Sequence, residues 1–389
     1  MTFKVIEPGS VLGVLGGGQL GAMFTAVAQR LGYRVAVWDP DPDAPAHRLA
    51  QRSFAAPFSD EATLEQFLNL VSAVTYEWEN VPADLCRTLE ATKPVRPSSA
   101  ILRMIQDRLD QKGFLAARGL PVVPFLPLAE SKQLPAVVGK VGYPALVKTA
   151  TTGYDGKGQW RVNDESDLGR IERALHASTR PGIRWIVEGL VLFDRELSIL
   201  IVRGMDEQTR VYPLVENEHE EGILRTTFVP AQVPSEIAGR AMTLAVQAVE
   251  ALQGIGVFCL ELFHMPNGEL LINEIAPRPH NSGHYTLDAC SVSQFEQQVR
   301  ALCGLPLGEV RLLKAAAMVN LIGSDAMTIQ QTGCRALLDM PGTFLHLYGK
   351  RTIRPRRKMG HVTFLADSLS LAQELAQQLR RGLASGRNT

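Results

Sequence analysis

The segment from Val257 to His284 constrains the fold most strongly, because it combines the pattern of buried strands with ionisable side chains. Val257–His264 and Leu270–Ile275 are apolar, β-prone runs, and Pro266–Gly268 between them has the residues of a tight turn. The segment is therefore predicted to form a β-hairpin followed by a polar loop, Pro277–His284, that contains two prolines.

Two carboxylates within the predicted hairpin indicate a cation site. We assume that the strands pair about the loop Met265–Gly268. Glu261 then lies opposite Ile272, and Glu274 is its diagonal neighbour on the same face, roughly 7–8 Å away. A carboxylate in an apolar strand is costly unless it is paired or bound to a metal ion, and Mg²⁺ takes one or two carboxylates together with nucleotide phosphates. The alternative is that each glutamate pairs with an arginine such as Arg278.

The composition is that of an ordinary globular protein, and the 389 residues are enough for two or three domains. Hydrophobic residues make up 46% and the formal net charge is zero, so no overall field draws the chain to nucleic acid or to a membrane surface. No apolar run approaches the ~20 residues of a membrane span, and the N-terminus lacks the features of a signal peptide. Five scattered cysteines without metal-binding spacing indicate reduced thiols and a cytoplasmic location.

A glycine-rich turn lies between two predicted strands near the N-terminus. Val11–Leu15 runs into Gly16–Gly21, and a second strand, Val35–Trp38, ends at Asp39. This order of strand, glycines, helix and acidic residue is the fingerprint of a dinucleotide-binding βαβ unit, and by itself it predicts an NAD-dependent oxidoreductase. The alternative is that the glycines only allow the helix to pack against the strand.

A third predicted strand, Ser72–Tyr76, is followed by Glu77 and Trp78. Polar and aromatic groups at the end of a parallel strand lie where such sheets bind ligands. The alternative is a solvated loop in which Trp78 is a packing residue. Pro94 and Pro97 then indicate a domain boundary near residue 100.

Helical patterns occur in five places, and Ser235 is the predicted N-cap of the third helix. The helices are predicted over Ala22–Leu31, Ala100–Arg118, Ile237–Leu252, Leu287–Ala301 and a C-terminal segment with an apolar stripe of Leu371, Leu375 and Leu379, followed by a frayed tail, Gly382–Thr389.

A glycine-rich segment in the middle of the chain predicts a lid over phosphates. Tyr143–Lys148 is a short strand with a lysine in an apolar context, and Thr149–Gln159 follows with three glycines around Tyr154, Asp155 and Lys157. Such a loop exposes backbone N–H groups and a cation, and it lacks the GxxxxGK[ST] spacing of a Walker A loop. A flexible hairpin tip is the alternative.

Three further polar segments are candidates for binding. Glu188–Val191 ends a predicted strand, and together with Glu196 it could hydrogen-bond an adenine edge and a ribose. His219 lies in a predicted acidic loop, where a lone histidine is more often structural than catalytic. Six basic residues fall within the nine positions of Lys350–Lys358 and indicate a local anion site, with a solvated basic loop as the alternative.

Four of these motifs occur together in an order that is similar to that of one family. They are Gly17–Gly21, Gly153–Gln159, Asn273–His284 and Arg357–His361. With them the chain resembles the 5-(carboxyamino)imidazole ribonucleotide synthases, ATP-grasp enzymes of purine biosynthesis, over nearly its whole length. The resemblance implies a fold of the α/β and α+β classes in three domains. These would be a Rossmann-like N-terminal domain (1–100) that binds no dinucleotide, an ATP-grasp body (101–308) with a lid at about 121–190, and a small β-rich C-terminal domain (309–389).

The resemblance also implies the chemistry. ATP, bicarbonate and 5-aminoimidazole ribonucleotide would give the N-carboxylated product, ADP and phosphate through carboxyphosphate, with Mg²⁺ neutralising the phosphates. The partners would be these small molecules and a second copy of the chain in a homodimer, with no nucleic acid and no membrane. Asp155, Lys157 and Arg278 would be catalytic, with Asp155 as the general base and Arg278 stabilising the bicarbonate oxyanions.

The remaining site residues implied by the resemblance fall into groups around ATP, Mg²⁺, the aminoimidazole and its phosphate. Those around ATP would be Arg108, Lys148, Gly153, Tyr154, Asp155, Gly156, Lys157, Gly158, Gln159, Glu188, Gly189, Leu190, Val191, Glu196, His219, Asn273 and Glu274. Glu261 and Glu274 would hold Mg²⁺, whereas Glu77, Trp78, Tyr154, Asp155, Lys157, Arg278, His280 and Asn281 would face the aminoimidazole or the carboxylating intermediate, and Lys350 and Arg357 would hold the phosphate of the ribonucleotide.

Two positions depart from the pattern of the family. Ala22 stands where an arginine is usual, which removes a cation near the start of a helix, and Arg356 stands where a glycine is usual in the basic loop. The alternatives to this family are another ATP-grasp carboxylate–amine ligase, the NAD-dependent oxidoreductase, and a non-catalytic nucleotide-sensing protein.

Overall fold

The structure is a computed structural model that describes residues 4–151, 158–178, 183–332 and 334–386. Its strands are β1 (Val11–Leu15), β2 (Arg34–Trp38), β3 (Arg52–Phe54), β4 (Ala73–Tyr76), β5 (Phe125–Leu128), β6 (Ala145–Thr149), β7 (Gln159–Val162), β8 (Trp185–Gly189), β9 (Arg195–Arg203), β10 (Thr209–Val211), β11 (Val215–Glu220), β12 (Ile223–Val229), β13 (Gly256–His264), β14 (Leu270–Ala276), β15 (Ala315–Ile322), β16 (Thr343–Leu347) and β17 (Lys358–Ala366).

The α-helices of the described residues lie between these strands, singly or in succession, and the last one follows β17. They are α1 (Gln19–Arg30), α2 (Glu61–Leu70), α3 (Ala83–Glu90), α4 (Ser99–Ile105), α5 (Arg108–Ala116), α6 (Leu134–Val141), α7 (Leu168–Ser178), α8 (Ser235–Leu252), α9 (Thr286–Ala289), α10 (Gln294–Cys303), α11 (Asp325–Thr332), α12 (Cys334–Leu338) and α13 (Leu369–Gly386). Within the described part of the chain, none of the helices is both long and apolar enough to cross a membrane.

Contacts divide the chain into two compact units. Unit 1 comprises the residues up to Leu102, Leu197–Cys259 and the residues from Ala276 onward, whereas unit 2 comprises Arg103–Glu196 and Leu260–Ile275. The division of the chain into domains 1–100, 101–308 and 309–389 stays a prediction.

The N-terminal part of unit 1 is a parallel sheet in the order β3-β2-β1-β4. Its central strand β1 is buried along its whole length, as a continuous apolar run in a parallel sheet requires. Gly13 in that strand faces the ring of Phe67 so closely that a Cβ atom would lie 2.6 Å from it. The strand therefore needs glycine at this position to pack beneath α2.

The remainder of unit 1 is built on strands in the order β13-β9-β11-β12-β15-β17-β16, with β10 paired to β9. The pairs from β11 to β16 are antiparallel, and β16 and β17 are joined by the basic loop. The helix α13 packs its small and apolar residues Ala372, Ala376 and Leu383 into the core.

Unit 2 contains an antiparallel sheet in the order β5-β8-β6-β7. Leu128, Val147, Val162 and Val187 from these strands form its core together with Ile171 of α7. The unit also contains Leu260–Ile275, which forms the C-terminal part of β13, the hairpin turn and nearly all of β14.

Several predicted helices have different boundaries because polar caps interrupt them. The helix predicted over Ala100–Arg118 is two helices, since the Asp107 side chain accepts hydrogen bonds from Leu109 N and Asp110 N and starts α5 there. The helix predicted over Leu287–Ala301 is likewise α9 and α10, and the Ser293 side chain caps the second by accepting from Glu296 N. Ser235 is the first residue of α8 rather than its cap, a position that Pro234 occupies.

Three other expectations about local structure are wrong. Leu371 is exposed, so the buried stripe of α13 does not include it, and the helix continues to Gly386 rather than fraying from Gly382. His219 lies in strand β11 and not in a loop. At the hairpin turn, Met265 N donates to Glu269 O and Gly268 N donates to Met265 O, so the loop is one residue shorter than we assumed.

Candidate active site

The glycine turn of unit 1 binds two carboxylates of the chain itself. Glu77 accepts hydrogen bonds from Gly18 N and Gly21 N, both at 2.7 Å, and Asp39 accepts one from Gly17 N at 2.6 Å. A Cβ atom on Gly18 would lie 2.5 Å from the Glu77 carboxylate, so glycine is needed for this approach. The N-terminus of α1, where a dinucleotide phosphate would bind, is therefore already neutralised, which argues against the NAD-dependent oxidoreductase.

The Glu77 carboxyl group is under opposing influences. Burial raises its pKa above the ordinary value, while the amides of Gly21 and Gly18 act in the opposite direction. Trp78, the next residue, is exposed over 48% of its surface. The contact of Glu77 and Trp78 with the aminoimidazole stays a prediction.

The loop after β14 buries a guanidinium group and a side-chain amide whose polar atoms are not all hydrogen-bonded. Arg278 binds Glu79, with 2.9 Å between Nη2 and Oε1, and its Nη1 donates to Pro279 O at 3.0 Å. Its Nε atom is buried without a hydrogen bond to any described residue. The same holds for both polar atoms of the Asn281 side chain, which is only 6% exposed. Such unsatisfied buried groups are rare in native proteins and call for a ligand or an ordered water.

The basic loop between β16 and β17 is anchored by its first lysine. Lys350 Nζ donates to Gln19 Oε1 at 2.7 Å and to Lys358 O at 2.8 Å. Burial, together with the nearby Arg357, lowers the pKa of Lys350 to about 8. Arg357 donates through Nη1 to Thr352 O at 2.8 Å. These two cations lie on the same short loop, as a phosphate site requires.

The two departures from the family pattern have different structural settings. Arg356 has a φ of 69°, in the left-handed region that favours glycine, so the arginine stands where glycine would be less strained. Its side chain binds Glu221, with Nη2 donating to the backbone oxygen at 2.8 Å. Ala22 lies in the first turns of α1 and packs partly against the core of the parallel sheet.

A histidine cluster lies beneath the basic loop. His346 and His361 are cross-strand partners, and with Asp288 they place three potential metal ligands within 4.8 Å of one another. The two rings stack at 11° with centroids 4.4 Å apart, so their lone pairs lie in nearly parallel planes and do not converge on one ion. His346 instead bonds Asp288 at 2.9 Å, and His361 Nδ1 bonds the Tyr348 hydroxyl at 2.9 Å. The cluster therefore joins α9 to the base of the basic loop.

Unit 2 contains a buried cluster of two lysines around one glutamate. Lys148 Nζ lies 2.6 Å from Glu188 Oε2, and Lys112 Nζ lies 3.3 Å from Oε1. Burial alone would raise the pKa of Glu188, but the two ammonium groups outweigh it and hold that pKa below the ordinary value. Burial lowers the pKa of Lys112, partly offset by Glu188. The cluster carries one more positive than negative charge, which suits a polyphosphate.

Lys112 is a site residue that the sequence reasoning missed. Its side chain is 2% exposed, and Nζ also donates to Asn273 O at 2.7 Å. The signal was present in the sequence, because Lys112 occupies the same face of α5 as Leu109 and Leu115 at i, i+3 spacing. A lysine in an apolar stripe is a candidate for a buried charge.

The structure describes the two ends of the predicted lid loop, residues 149–151 and 158–159. Gly153, Tyr154, Asp155, Gly156 and Lys157 lie outside the described residues. Gly158 O accepts from Thr149 N at 3.1 Å, and Gln159 pairs with Lys148 across β6 and β7. Arg108 donates through its backbone N–H to Ala150 O at 2.8 Å and through Nη1 to Thr149 O at 3.2 Å, so it supports the start of the loop.

The segment predicted to bind adenine follows β8. Gly189 N donates to Pro124 O and Leu190 N donates to Pro144 O, both at 2.9 Å. An adenine edge at this segment would therefore meet the backbone carbonyls or Val191 N. Glu196 is half-buried in β9 of the same unit. His219 belongs to unit 1, where it is exposed on β11.

Glu261 and Glu274 lie on the neighbouring strands β13 and β14, and both are half-buried. Among the described residues, Glu274 makes no hydrogen bond and no ion pair, although Lys112 lies within electrostatic range of it. A half-buried carboxylate of this kind fits a hard cation. The observed turn is one residue shorter than we assumed, and such a shift, if it continues along the strands, places Glu261 and Glu274 on opposite faces. The geometric argument for a shared face is therefore lost, and the convergence of both glutamates on one ion stays a prediction that rests on the family resemblance.

Comparison with known proteins decides the family. The ATP-grasp domain family matches residues 113–295, the ribonucleotide synthetase preATP-grasp domain matches residues 10–106, and the phosphoribosylaminoimidazole carboxylase C-terminal domain matches residues 316–375. An N5-carboxyaminoimidazole ribonucleotide synthase of Bacillus subtilis is 38% identical over 365 residues, which are 94% of this chain and 94% of that protein. The chain belongs to this family.

Solved structures of this synthase family have the same fold. The N5-carboxyaminoimidazole synthetase of Staphylococcus aureus in complex with ADP matches with a TM-score of 0.90 and 35% identity over 98% of this chain and 99% of that one. The synthase of Aspergillus clavatus in complex with ADP and 5-aminoimidazole ribonucleotide matches with a TM-score of 0.87 and 31% identity over 97% and 99%. The predicted fold class and the prediction of an ADP-forming ATP-grasp ligase of this family are confirmed.

Proposed function

We propose that the chain carboxylates 5-aminoimidazole ribonucleotide with bicarbonate at the expense of ATP, releasing ADP and phosphate, as a step of purine biosynthesis. The observation that carries the proposal is the match to an N5-carboxyaminoimidazole ribonucleotide synthase over 94% of both chains. The cationic cluster of unit 2 and the unsatisfied polar groups of unit 1 support it, since they supply the charges that the two substrates need.

ATP would bind to unit 2 with its phosphates near Lys148. The excess positive charge around Glu188 is the reason, because the phosphates provide the anion that the two lysines lack. The adenine would lie against Gly189–Val191 and the ribose against Glu196. Arg108 and the glycine loop Gly153–Gln159 complete the proposed nucleotide site of unit 2, and the role of His219, which belongs to unit 1, stays a prediction.

Mg²⁺ would be held by Glu261 and Glu274, with Asn273 beside them. When bound there, the ion would offset the negative charge of the phosphates during transfer. The half-buried Glu274, which lacks a hydrogen bond among the described residues, is the observation that fits it. The role of these side chains is to fix the phosphate oxygens in one geometry.

The aminoimidazole ribonucleotide would bind to unit 1. Lys350 and Arg357 would hold its phosphate, while Glu77 and Trp78 would face the base. Arg278, through its buried Nε, and Asn281, through its unsatisfied amide, would bind the carboxyl oxygens. His280 lies two residues after Arg278 in the same loop and would face the same substrate.

The reaction would begin with transfer of the γ-phosphoryl group to a bicarbonate oxygen, which turns a poor electrophile into one with a phosphate leaving group. The exocyclic amine then attacks the carbon, either of this carboxyphosphate or of CO₂ released from it, and phosphate departs. Asp155 would take the proton of the amine, Tyr154 and Lys157 would face the aminoimidazole or the intermediate, and the lid loop would keep that intermediate from water.

Release of phosphate tests the proposal directly. The rate would be measured with ATP and bicarbonate, with and without aminoimidazole ribonucleotide, and ¹³C from labelled bicarbonate would be followed into the product. Release that depends on both substrates and carries the label into the ribonucleotide is expected. Release driven by formate or by biotin would instead identify another ATP-grasp ligase.

The proposal extends to assembly and location. We infer a homodimer that acts in the cytoplasm, the location that five scattered cysteines without metal-binding spacing favour. Sedimentation at micromolar concentration should give twice the mass of the chain. A single-chain mass would reject the dimer without affecting the proposed reaction.

A further inference from the structure

A buried line of polar side chains runs through unit 1 to His280. Thr227 Oγ1 donates to Asn217 Oδ1 at 2.9 Å, Asn217 Nδ2 donates to Ser198 Oγ at 2.8 Å, and Ser198 Oγ donates to Ser282 Oγ at 2.8 Å. Ser282 Oγ in turn lies 2.9 Å from His280 Nδ1. Ser198, Ser282 and Thr227 are at most 1% exposed and Asn217 is 7% exposed, so water does not compete for these bonds.

The direction of each bond follows from the chemistry of the groups. The backbone N–H of Ser282 points to His280 Nδ1 at 3.4 Å, and an amide can only donate, so Nδ1 presents a lone pair. The hydroxyl of Ser198 accepts a hydrogen bond from Asn217 and donates its single proton to Ser282. Ser282 Oγ therefore accepts from Ser198 and donates its own proton to His280 Nδ1. Both arguments place the ring proton on Nε2.

Burial and the electrostatic surroundings keep the ring neutral. Burial is the first cause that lowers the pKa of His280 well below its ordinary value, and the charges of Arg278 and Lys358 act in the same direction, followed by His284 and His219. A neutral imidazole with its proton on Nε2 can donate a hydrogen bond from that atom but cannot accept a proton there.

We propose that Asn217, Ser198 and Ser282 are positioning residues that hold His280 as the neutral Nε2–H tautomer, so that Nε2–H donates to an oxygen of the group being transferred. The acceptor is a carboxylate or carbonyl oxygen, such as those of bicarbonate or of the new carbamate. This assignment rests on the proposed function only for the identity of that acceptor. It excludes His280 as the base that deprotonates the amine, and it leaves that task to another residue.

The tautomer can be read directly from the ¹⁵N shifts of the ring. Two-bond ¹H–¹⁵N spectra of the full-length protein, labelled on histidine, would be recorded near neutral pH, and the His280 signals identified by their loss in His280→Gln. An unprotonated Nδ1 and a protonated Nε2 are expected. A protonated Nδ1, or an imidazolium, in the wild-type protein would overturn the proposal without any further variant.

Variants of the line test its role in catalysis. Ser282→Ala removes the donor to Nδ1, so a mixture of tautomers should be seen and kcat should fall roughly 10- to 100-fold, as when an orienting group is lost. The KM for ATP should stay within about twofold, because ATP is bound by other groups. Ser282→Thr, which keeps the hydroxyl, should restore both the tautomer and most of kcat, and Ser198→Ala should act like a weaker Ser282→Ala.

Ser291→Ala is the matched control. Like Ser282→Ala, it deletes a serine hydroxyl that makes a hydrogen bond. The hydroxyl of Ser291 donates to the backbone oxygen of Glu309 at 2.7 Å, is exposed, and lies outside the line of polar side chains. It should change neither the tautomer nor kcat. Loss of activity in Ser282→Ala with an unchanged tautomer, or no rescue by Ser282→Thr, would reject the positioning role. The spectra remain informative if phosphate release proves independent of aminoimidazole ribonucleotide, so the tautomer and the proposed reaction can fail separately.

Discussion

Lys112 is buried in a place where lysine normally costs free energy. Its ammonium group is compensated by Glu188 at 3.3 Å and by the backbone oxygen of Asn273 at 2.7 Å. If Lys112 is removed, Glu188 keeps Lys148 as its ion-pair partner at 2.6 Å, but Glu188 Oε1 and Asn273 O lose a buried donor. Lys112 therefore contributes to the positive charge near Lys148 as much as to the stability of the fold.

Replacing Lys112 with methionine keeps the volume and removes the charge. We expect the free energy of unfolding to fall by about 1–3 kcal/mol, the usual cost of leaving a buried acceptor without its donor, because Lys148 still compensates the charge of Glu188. Denaturant unfolding followed by circular dichroism measures it. Lys140→Met, which removes an exposed lysine of α6, is the control and should change the midpoint little. Equal shifts in the two variants would show that the cluster is not compensated as described.

Lys350 predicts a pH dependence of substrate binding. Its pKa is lowered to about 8, so the ammonium form dominates below pH 8 and is lost as the pH rises above it. If Lys350 holds the phosphate, the apparent KM for the ribonucleotide should rise above pH 8, toward a tenfold increase per pH unit, because only the charged form attracts the anion. The KM for ATP, measured in the same assays, should not follow this curve.

Lys350→Met separates this lysine from its neighbours. The variant should have a high KM for the ribonucleotide. Between pH 7.5 and 9 this KM should rise less than the KM of the wild type does. Arg357 stays charged throughout this range and cannot supply the effect. The same slope in the variant and in the wild type would assign the titration to another group.

At the scale of elements, the start of α1 depends on Glu77 at the end of β4. Its two oxygens satisfy the amides of Gly18 and Gly21, at 2.7 Å each. Glu77→Gln replaces one accepting oxygen by an NH₂ group that faces an N–H donor. We expect a loss of about 1–3 kcal/mol in the free energy of unfolding, the range for a hydrogen bond to a charged group.

Glu61→Gln is the matched control for Glu77→Gln. Glu61 is likewise a carboxylate near a helix N-terminus, in the first turn of α2. It is exposed there, so replacing it should lower the free energy of unfolding much less. Thermal or denaturant unfolding without ligands compares the two variants. If Glu77→Gln were as stable as Glu61→Gln, the carboxylate would not be what neutralises the helix terminus.

The strands were easier to predict than the helices, for a physical reason. β1 was predicted with its observed boundaries because its apolar run of five residues is too short for a typical helix and is followed directly by glycines. The predicted helix Ala100–Arg118 was wrong because Asp107, which the pattern allows inside a helix, folds back onto Leu109 N and starts a new one. The hairpin register could not be fixed, since turn composition predicts a turn but not which residues close it.

The candidate site could be predicted from motifs only where the motif carries the chemistry. Glu188 and Lys148 were found in this way, and the structure brings them within 2.6 Å of each other. The place of Lys112 in the apolar face of α5 marks it as a candidate buried charge, but sequence spacing does not reveal its tertiary contact with Glu188 on β8. The left-handed backbone of Arg356 was equally hidden, because a single arginine gives no local sign of its φ.

At the scale of the whole molecule, unit 2 is assembled from two distant stretches of chain, Arg103–Glu196 and Leu260–Ile275. The lysine cluster comes from the first stretch and the predicted magnesium ligands from the second. Lys112 joins them within the unit by donating to Asn273 O. A nucleotide with its metal ion should therefore stabilise the protein by binding both stretches together, by an amount that grows with the logarithm of its concentration over Kd.

Thermal unfolding would measure this stabilisation with ADP alone, with ADP and Mg²⁺, and after addition of EDTA. ADP with Mg²⁺ at about 100 times Kd should stabilise the protein by about 2.7 kcal/mol, and EDTA should remove the part that is due to the ion. Glu274→Gln keeps the shape of the side chain but not its charge, so it should bind ADP and gain little from Mg²⁺. Glu269→Gln, on the exposed turn of the same hairpin, should behave like the wild type. If the variant at Glu274 gained as much from Mg²⁺ as the variant at Glu269, the ion would not be held by this hairpin.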